Sequence, residues 1–293
     1  DRSRMDNNRA SPLISTAELA QLIEESNVRL VDCRFDLFDA DKGAADYEAG
    51  HIQGAVYAHM DHDLASEIGE QTGRHPLPDP ARFQAALERW GINNDTHLIA
   101  YDYGNGTLAV RFWWMMRFWL GHERVAVLDG GIAGWTAAGQ PLETGITTVK
   151  RANYGGVPNP GCLASTAEIE AAVRSGSALA LIDARDPARF NGEVEPIDPV
   201  AGHIPGAFNM PLAGNLDTAG YWQSPDVLRE SWQQAPVDPA TEDVIVMCGS
   251  GVTACHLILS AVRAGLPPPR LYVGSWSEWI RDPGRPIAGS KRG

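Results

Sequence analysis

The segment "VIVMCGSGVTACHLILSAVRAG", Val244 to Gly265, passes from an apolar run through a glycine-studded loop into a helical pattern. Its start, with Asp243 before it, is a short bounded run rich in Val and Ile. That is the pattern of a strand buried on both faces of a parallel sheet. From Ala254 onward, Leu257, Ile258, Ala261 and Val262 share one helical face until Gly265 and Pro267 stop the helix. Cys248 therefore stands at the carboxyl end of a parallel strand, where open α/β sheets bind ligands.

The same phrases occur twice along the chain. "LVDCR" at Leu30 to Arg34 returns as "LIDAR" at Leu181 to Arg185, and "GHIQGAVY" at Gly50 returns as "GHIPGAFN" at Gly202. "LIAYDYGNGTLAVRFWWM" lines up with "VIVMCGSGVTACHLIL", pairing Asp102 with Cys248 at an offset of 146 residues. "DGGIAGW" lines up with "VGSWSEW", pairing Trp135 with Trp279 at an offset of 144. Anchors in one order at nearly one spacing mean a duplicated domain, since a solenoid repeat would be far shorter. Residues 11–142 and 162–288 are read as the two copies. Residues 143–161, rich in Gly, Thr and Pro and without apolar periodicity, are read as the linker. Each copy opens with a helical stretch, near Ser15 to Glu25 and Thr166 to Arg174, and then alternates strand, loop and helix. The fold class is α/β, a central parallel sheet flanked by helices in each copy.

At 293 residues the chain exceeds one typical domain, and 44% hydrophobic with 21% charged residues is an ordinary soluble profile. A net charge of -13 repels phosphate backbones and anionic lipid, which argues against nucleic acid and membranes as partners. The opening "DRSRMDNNRASPL" lacks the apolar core of a secretory signal, and Met5 is expected to be the natural start. Four cysteines without a CxxC pair are too sparse for a disulfide framework, so a reducing cytosol is expected.

The loop explains the thiol's position. Gly249 and Gly251 permit backbone angles that let N–H groups converge on one point, and the following helix adds partial positive charge there. Gly249, Gly251, Val252 and Thr253 are thus expected to hold an anion. A thiol among such donors is favoured as the thiolate, the nucleophilic form. The same donors suit a persulfide anion, should Cys248 accept a sulfur atom. Phosphatase loops also present a cysteine ahead of a helix, but they require arginine at the sixth place after it, and here that residue is Ala254. Cys33, Cys162 and Cys255 lack such a setting and are read as packing. His51 and His203 recur in both copies, including the one without a thiol, so they are read as architecture. "RFWWMMRFWLG", Arg111 to Gly121, is expected to be helix core and domain interface. Neither metal-ligand spacing nor a phosphate-binding glycine motif appears, so no cofactor and no metal are expected.

The Asp-x-Arg strand ends, both GHI[QP]GA segments, the CGSGVTA loop and "SWSEW" together resemble the tandem rhodanese-type sulfurtransferases, over about Ser11 to Ile287. The resemblance implies that the second copy carries the reactive cysteine, with Asp102 marking a degenerate first copy. It implies 3-mercaptopyruvate as donor, because Gly249 and Ser250 replace the cationic loop residues of thiosulfate-preferring members. It implies Arg185 as the arginine that binds the donor's carboxylate, with Arg189 as a second clamp. It also implies that Ser250 acts with His75 from "GRHPLP" and with an aspartate, Asp61, near His59 and Asp63. The expected acceptor is a thiol such as thioredoxin, glutathione or dihydrolipoate, or cyanide. A thiosulfate:cyanide sulfurtransferase and a persulfide carrier without small-molecule turnover stand as alternatives.

Overall fold

A computed structural model describes residues 11–289, so Met5 lies outside the described residues. The first copy is built on a five-stranded sheet. In spatial order its strands are Leu13–Ile14, Val125–Leu128, His97–Tyr101, Val28–Asp32 and Val56–Tyr57, all parallel. The second copy repeats the order with Arg270–Leu271, Ile245–Met247, Leu181–Asp183 and Phe208–Asn209, again parallel. Leu163 adds a single parallel bridge to Leu271, in the place that Leu13–Ile14 takes in the first copy.

The local signals act as their chemistry requires. Ser15 and Ser165 cap the helices Thr16–Leu22 and Thr166–Ser175, and Glu18 and Glu168 close a reciprocal capping box in each. The helix after the thiol loop spans Cys255–Arg263, and Gly265 ends it in the left-handed region at φ 78°.

Three apolar layers result. One covers the outer face of the first sheet around Leu30, Ile99 and Trp135, and another covers the outer face of the second around Leu181, Ile245 and Trp279. The third lies between the sheets and is shared, joining Val31, Trp113 and Met116 to Val246, Leu257 and Ile258. The expected aromatic stretch forms this middle layer: the helix Ala109–Trp114 continues as a π-helical segment, Met115–Trp119, and packs on Cys255–Arg263. The contact between the copies is therefore core.

Residues 143–161 are strapped to the first copy. Leu142–Glu143 pairs antiparallel with His51–Ile52, Glu143 accepts the Gly54 N–H at 2.7 Å, and Tyr154 is buried against His122. His51 and His203 serve architecture. His51 bonds the Tyr47 carbonyl and Glu143 while stacking on Tyr47, and His203 bonds the Phe190 carbonyl while stacking on Phe190.

A buried histidine is among the polar ties that cross the middle layer. His256, fully buried, stacks on Trp222 at 3.9 Å, accepts from Asn215 and donates from Nε2 to the Asn105 carbonyl of the first copy. Burial pushes its pKa down to about 4, so the ring is neutral in the native state. Below the ordinary value of about 6.5 the unfolded chain takes a proton that the folded one refuses, so stability falls as pH drops through that window. The expected loss between pH 6.5 and 4 is on the order of 3 kcal/mol from this group. Thermal unfolding across that range checks it: His256→Gln should show a flatter dependence than the parent, and an unchanged slope refutes the assignment.

Candidate active site

The strand Ile245–Met247 delivers Cys248 to the end of the second sheet, 1% exposed, at the floor of a cavity of about 170 Å³. Both copies build that cavity. Phe35, Met60, Arg74, His75 and Leu108 come from the first, and Arg189, Gly249, Ser250, Val252 and Thr253 from the second. The Gly251 N–H donates to Cys248 Sγ at 3.2 Å. Gly251 has φ 77°, and a Cβ there would meet the Val273 carbonyl at 2.4 Å, so the loop requires glycine. Beneath the loop, Ser275 is the one described non-glycine residue in the left-handed region, at φ 56°. Its hydroxyl accepts the Cys248 N–H at 3.1 Å and donates to the Tyr272 carbonyl at 2.8 Å. In the first copy the equivalent residue is Gly131, also at φ 56°. A strained serine is thus kept only under the thiol.

Asp61, His75 and Ser250 form one hydrogen-bonded chain across the two copies. His75 Nδ1 lies 2.8 Å from Ser250 Oγ, and its Nε2 lies 3.1 Å from Asp61 Oδ1. A carboxylate only accepts, so Nε2 carries the proton and Nδ1 accepts from the Ser250 hydroxyl. Burial pushes the His75 pKa below the ordinary imidazole range although Asp61 pulls it up, with Arg111 and Arg74 adding to the depression. The hydrogen bond from His75 holds the Asp61 carboxyl below its usual range. His59 lies outside this chain. Its Nδ1 accepts the Asp61 N–H and its Nε2 donates to the Ala40 carbonyl, which fixes the turn that carries Asp61.

Among the described residues two guanidinium groups line the cavity, those of Arg189 and Arg74. Arg189 pairs with Glu195 at 3.0 Å and Asp198 at 3.4 Å, and Arg74 pairs with Asp198 across the copies. A Cβ on Gly249 would stand 2.9 Å from Arg74 Nη2 and 3.5 Å from Arg189 Nη2, so glycine lets both cations approach the loop. Arg185 must be corrected: it is absent from the cavity wall. Its guanidinium folds back onto Asp183, 2.7 Å from Nη2 to Oδ2, and Nη2 also holds the Gly202 carbonyl at 2.8 Å. Arg34 repeats this bracket with Asp32 and the Gly50 carbonyl, each at 2.7 Å, in the copy without a thiol. The motif is a fastener of the fold, and Arg189 and Arg74 are the cations at the cavity.

Sequence reasoning missed Arg74 and Ser275. Arg74 stood beside His75 in "GRHPLP", and only the bridge between copies reveals it. Ser275 was detectable where "VGSWSEW" places serine against glycine in "DGGIAGW". The other cysteines are ordinary: burial pushes the Cys33 and Cys255 thiols up, and Cys162 up to about 11. Among the described residues no group of His, Cys, Asp and Glu is placed to hold a metal, and no helix is long and apolar enough to cross a membrane.

A duplicated parallel α/β unit with one thiol in an amide-lined loop defines the class: the chain belongs to the rhodanese-like domain family, which matches residues 15–138 and 165–282. It is 42% identical over 281 residues to a "Probable 3-mercaptopyruvate sulfurtransferase" of Pseudomonas aeruginosa, covering 95% of this chain and 98% of that one. It is 32% identical over 280 residues to the "Thiosulfate sulfurtransferase" of Rattus norvegicus, covering 92% of each. The crystal structure of SseA from Escherichia coli, described as a 3-mercaptopyruvate sulfotransferase of rhodanese fold, matches with a TM-score of 0.79 at 33% identity. That match covers 92% of this chain and 100% of SseA. The chain is a sulfurtransferase of this family.

Two cations over one thiol should favour an anionic reagent. The rate of Cys248 alkylation by iodoacetate relative to iodoacetamide is expected to fall roughly three- to tenfold in Arg189→Gln and in Arg74→Gln. An unchanged ratio in both variants would show that neither arginine acts on ligands in the cavity.

Proposed function

We propose that the chain moves sulfur from 3-mercaptopyruvate through a Cys248 persulfide to a thiol acceptor, releasing pyruvate. One observation carries the persulfide. In the first copy the Asp102 carboxylate accepts the N–H groups of Gly104, Gly106, Leu108 and Ala109 at 2.9 to 3.0 Å. At the offset of 146, Gly104, Gly106 and Leu108 correspond to Ser250, Val252 and Ala254, whose amides find no acceptor among the described residues. A carboxylate oxygen lies two bonds from Cβ, as the outer sulfur of a cysteine persulfide does. Asp102 thus displays in one copy the anion that the other copy awaits.

The steps balance without a redox partner. The Cys248 thiolate attacks the donor's sulfur, an S–S bond forms, and the C3–S bond breaks with its electron pair passing into the pyruvate enolate. The proton of the donor's thiol passes through Ser250 and His75, oriented by Asp61, to C3 of that enolate. The acceptor's thiolate then attacks the outer sulfur and returns the Cys248 thiolate. Arg189 and Arg74 take the donor's carboxylate. The neutral Gly249 and Ser250, and cations already shared with Glu195 and Asp198, suit a monoanion better than the thiosulfate dianion. The likeness to the rat enzyme keeps thiosulfate as the second reading, and kcat/KM for the two donors separates them. Residues 11–142 then act as the half that supplies His75, Asp61 and Arg74, residues 143–161 join them, and residues 162–288 act as the half that carries the thiol. Thioredoxin or glutathione in a reducing cytosol suits four free cysteines.

Incubation with 3-mercaptopyruvate alone is expected to add one sulfur atom to the peptide containing Cys248, and none in Cys248→Ser, by mass spectrometry. Pyruvate release without that adduct refutes the persulfide route. Because Asp61 raises the His75 pKa, Asp61→Asn should move the acidic limb of kcat to lower pH while lowering kcat by about tenfold or more. A limb displaced upward or left in place would remove His75 from the proton path.

A further inference from the structure

Among the described residues, Arg111 is the one cation in the middle layer that the proposed steps leave unused. It sits on the helix Ala109–Trp114 of the first copy, the copy without a thiol, and is fully buried. Its guanidinium donates to three carbonyls: Nη1 to Gly251 at 2.9 Å, and Nη2 to His75 at 2.8 Å and Leu64 at 3.1 Å. Its Nε has no partner, and among the described residues no carboxylate forms an ion pair with it. A buried cation without a counter-charge is expensive, and carbonyl dipoles offset only part of that cost.

We propose that Arg111 is the positioning residue of the transfer site: the buried counter-cation of the anion at residue 248, and the clamp that holds the Cys248 loop in register with His75. The inference rests on the reading of Cys248 as the nucleophile. Two independent observations support it. The carbonyls it binds belong to Gly251, whose N–H donates to Sγ, and to His75, whose ring bonds Ser250. Burial lowers the Arg111 pKa, and the groups that pull it back up are Cys255 and Cys248. Burial pushes the Cys255 thiol up, so it stays neutral, and Cys248 is the group left to balance the guanidinium. The persulfide carries the same charge and profits equally.

The other groups facing Cys248 come from the cavity side. Arg74 and Arg189 line the same cavity, but each is paired with a carboxylate, Asp198 or Glu195 and Asp198. His75 is held neutral by burial, with Asp61 behind it. Ser275 meets the main-chain N–H of Cys248 and carries no charge. Arg111, on the buried side, is the unpaired charge of the set.

The test is the pH profile of Cys248 alkylation by iodoacetamide, followed by mass spectrometry on the full chain, beside kcat and KM. Arg111→Met is expected to displace the alkylation midpoint upward by about one pH unit and to lower kcat at least tenfold with a smaller change in KM. Arg111→Lys retains the charge and loses the fork, so it should keep the parent's midpoint while kcat falls. A folded Arg111→Met with the parent's midpoint overturns the counter-charge role. A displaced midpoint in Arg111→Lys does the same, and that variant decides the matter if the methionine variant does not fold. Should Cys248 of the parent resist alkylation at neutral pH, the nucleophile reading itself fails, an outcome distinct from both.

Discussion

Everything in this molecule is arranged around main-chain amides that converge on one side chain at the end of a parallel strand. In the first copy that side chain is Asp102, whose two carboxylate oxygens take four N–H groups and close the site permanently. In the second copy it is Cys248, one atom shorter in reach, with a single amide on Sγ and further amides without an acceptor. The same backbone is therefore a saturated turn in one place and, in the other, a loop whose Ser250, Val252 and Ala254 amides have no acceptor among the described residues. Buried donors that lack acceptors are costly, and they are retained where a ligand or intermediate completes them.

The duplicated chain was legible in these terms because a repeat reports on backbone demands. The Asp-x-Arg strand ends and the paired histidines recur wherever the same turn must be built. Strand and helix patterns followed from burial, since strands covered on both faces must be apolar throughout. The site was legible only in part. Cys248, Ser250 and the amide loop lie within one short segment and could be read together. His75 and Asp61 came from the resemblance, and their meeting with Ser250 depends on how the two copies pack.

Arg185 shows the opposite error. An arginine at a strand end with a planar fork has the right chemistry for a carboxylate, and sequence cannot tell which carboxylate it takes. Asp183, two residues earlier on the same strand, holds it at 2.7 Å, and the identical Arg34–Asp32 pair in the other copy was the available warning. A feature present in both copies serves the scaffold. A feature present in one, such as Ser275 against Gly131, marks the chemistry.

That asymmetry also explains why the copies share a core. A transfer site of this kind must keep an anion stable without water, both before the sulfur atom arrives and after it leaves. Exposed counter-ions would be screened and would bind the donor indiscriminately. Placing Arg74, Arg111 and the neutral His75 on one copy and the thiol loop on the other sets the two cations and the imidazole by interlayer packing, and the Trp113, Met116 and Leu257 layer keeps that distance from drifting. Either copy alone would lack half of the electrostatic arrangement. The first copy thus shares in the site itself, because its His75 and Arg74 line the cavity at Cys248 and its Arg111 holds the Gly251 carbonyl.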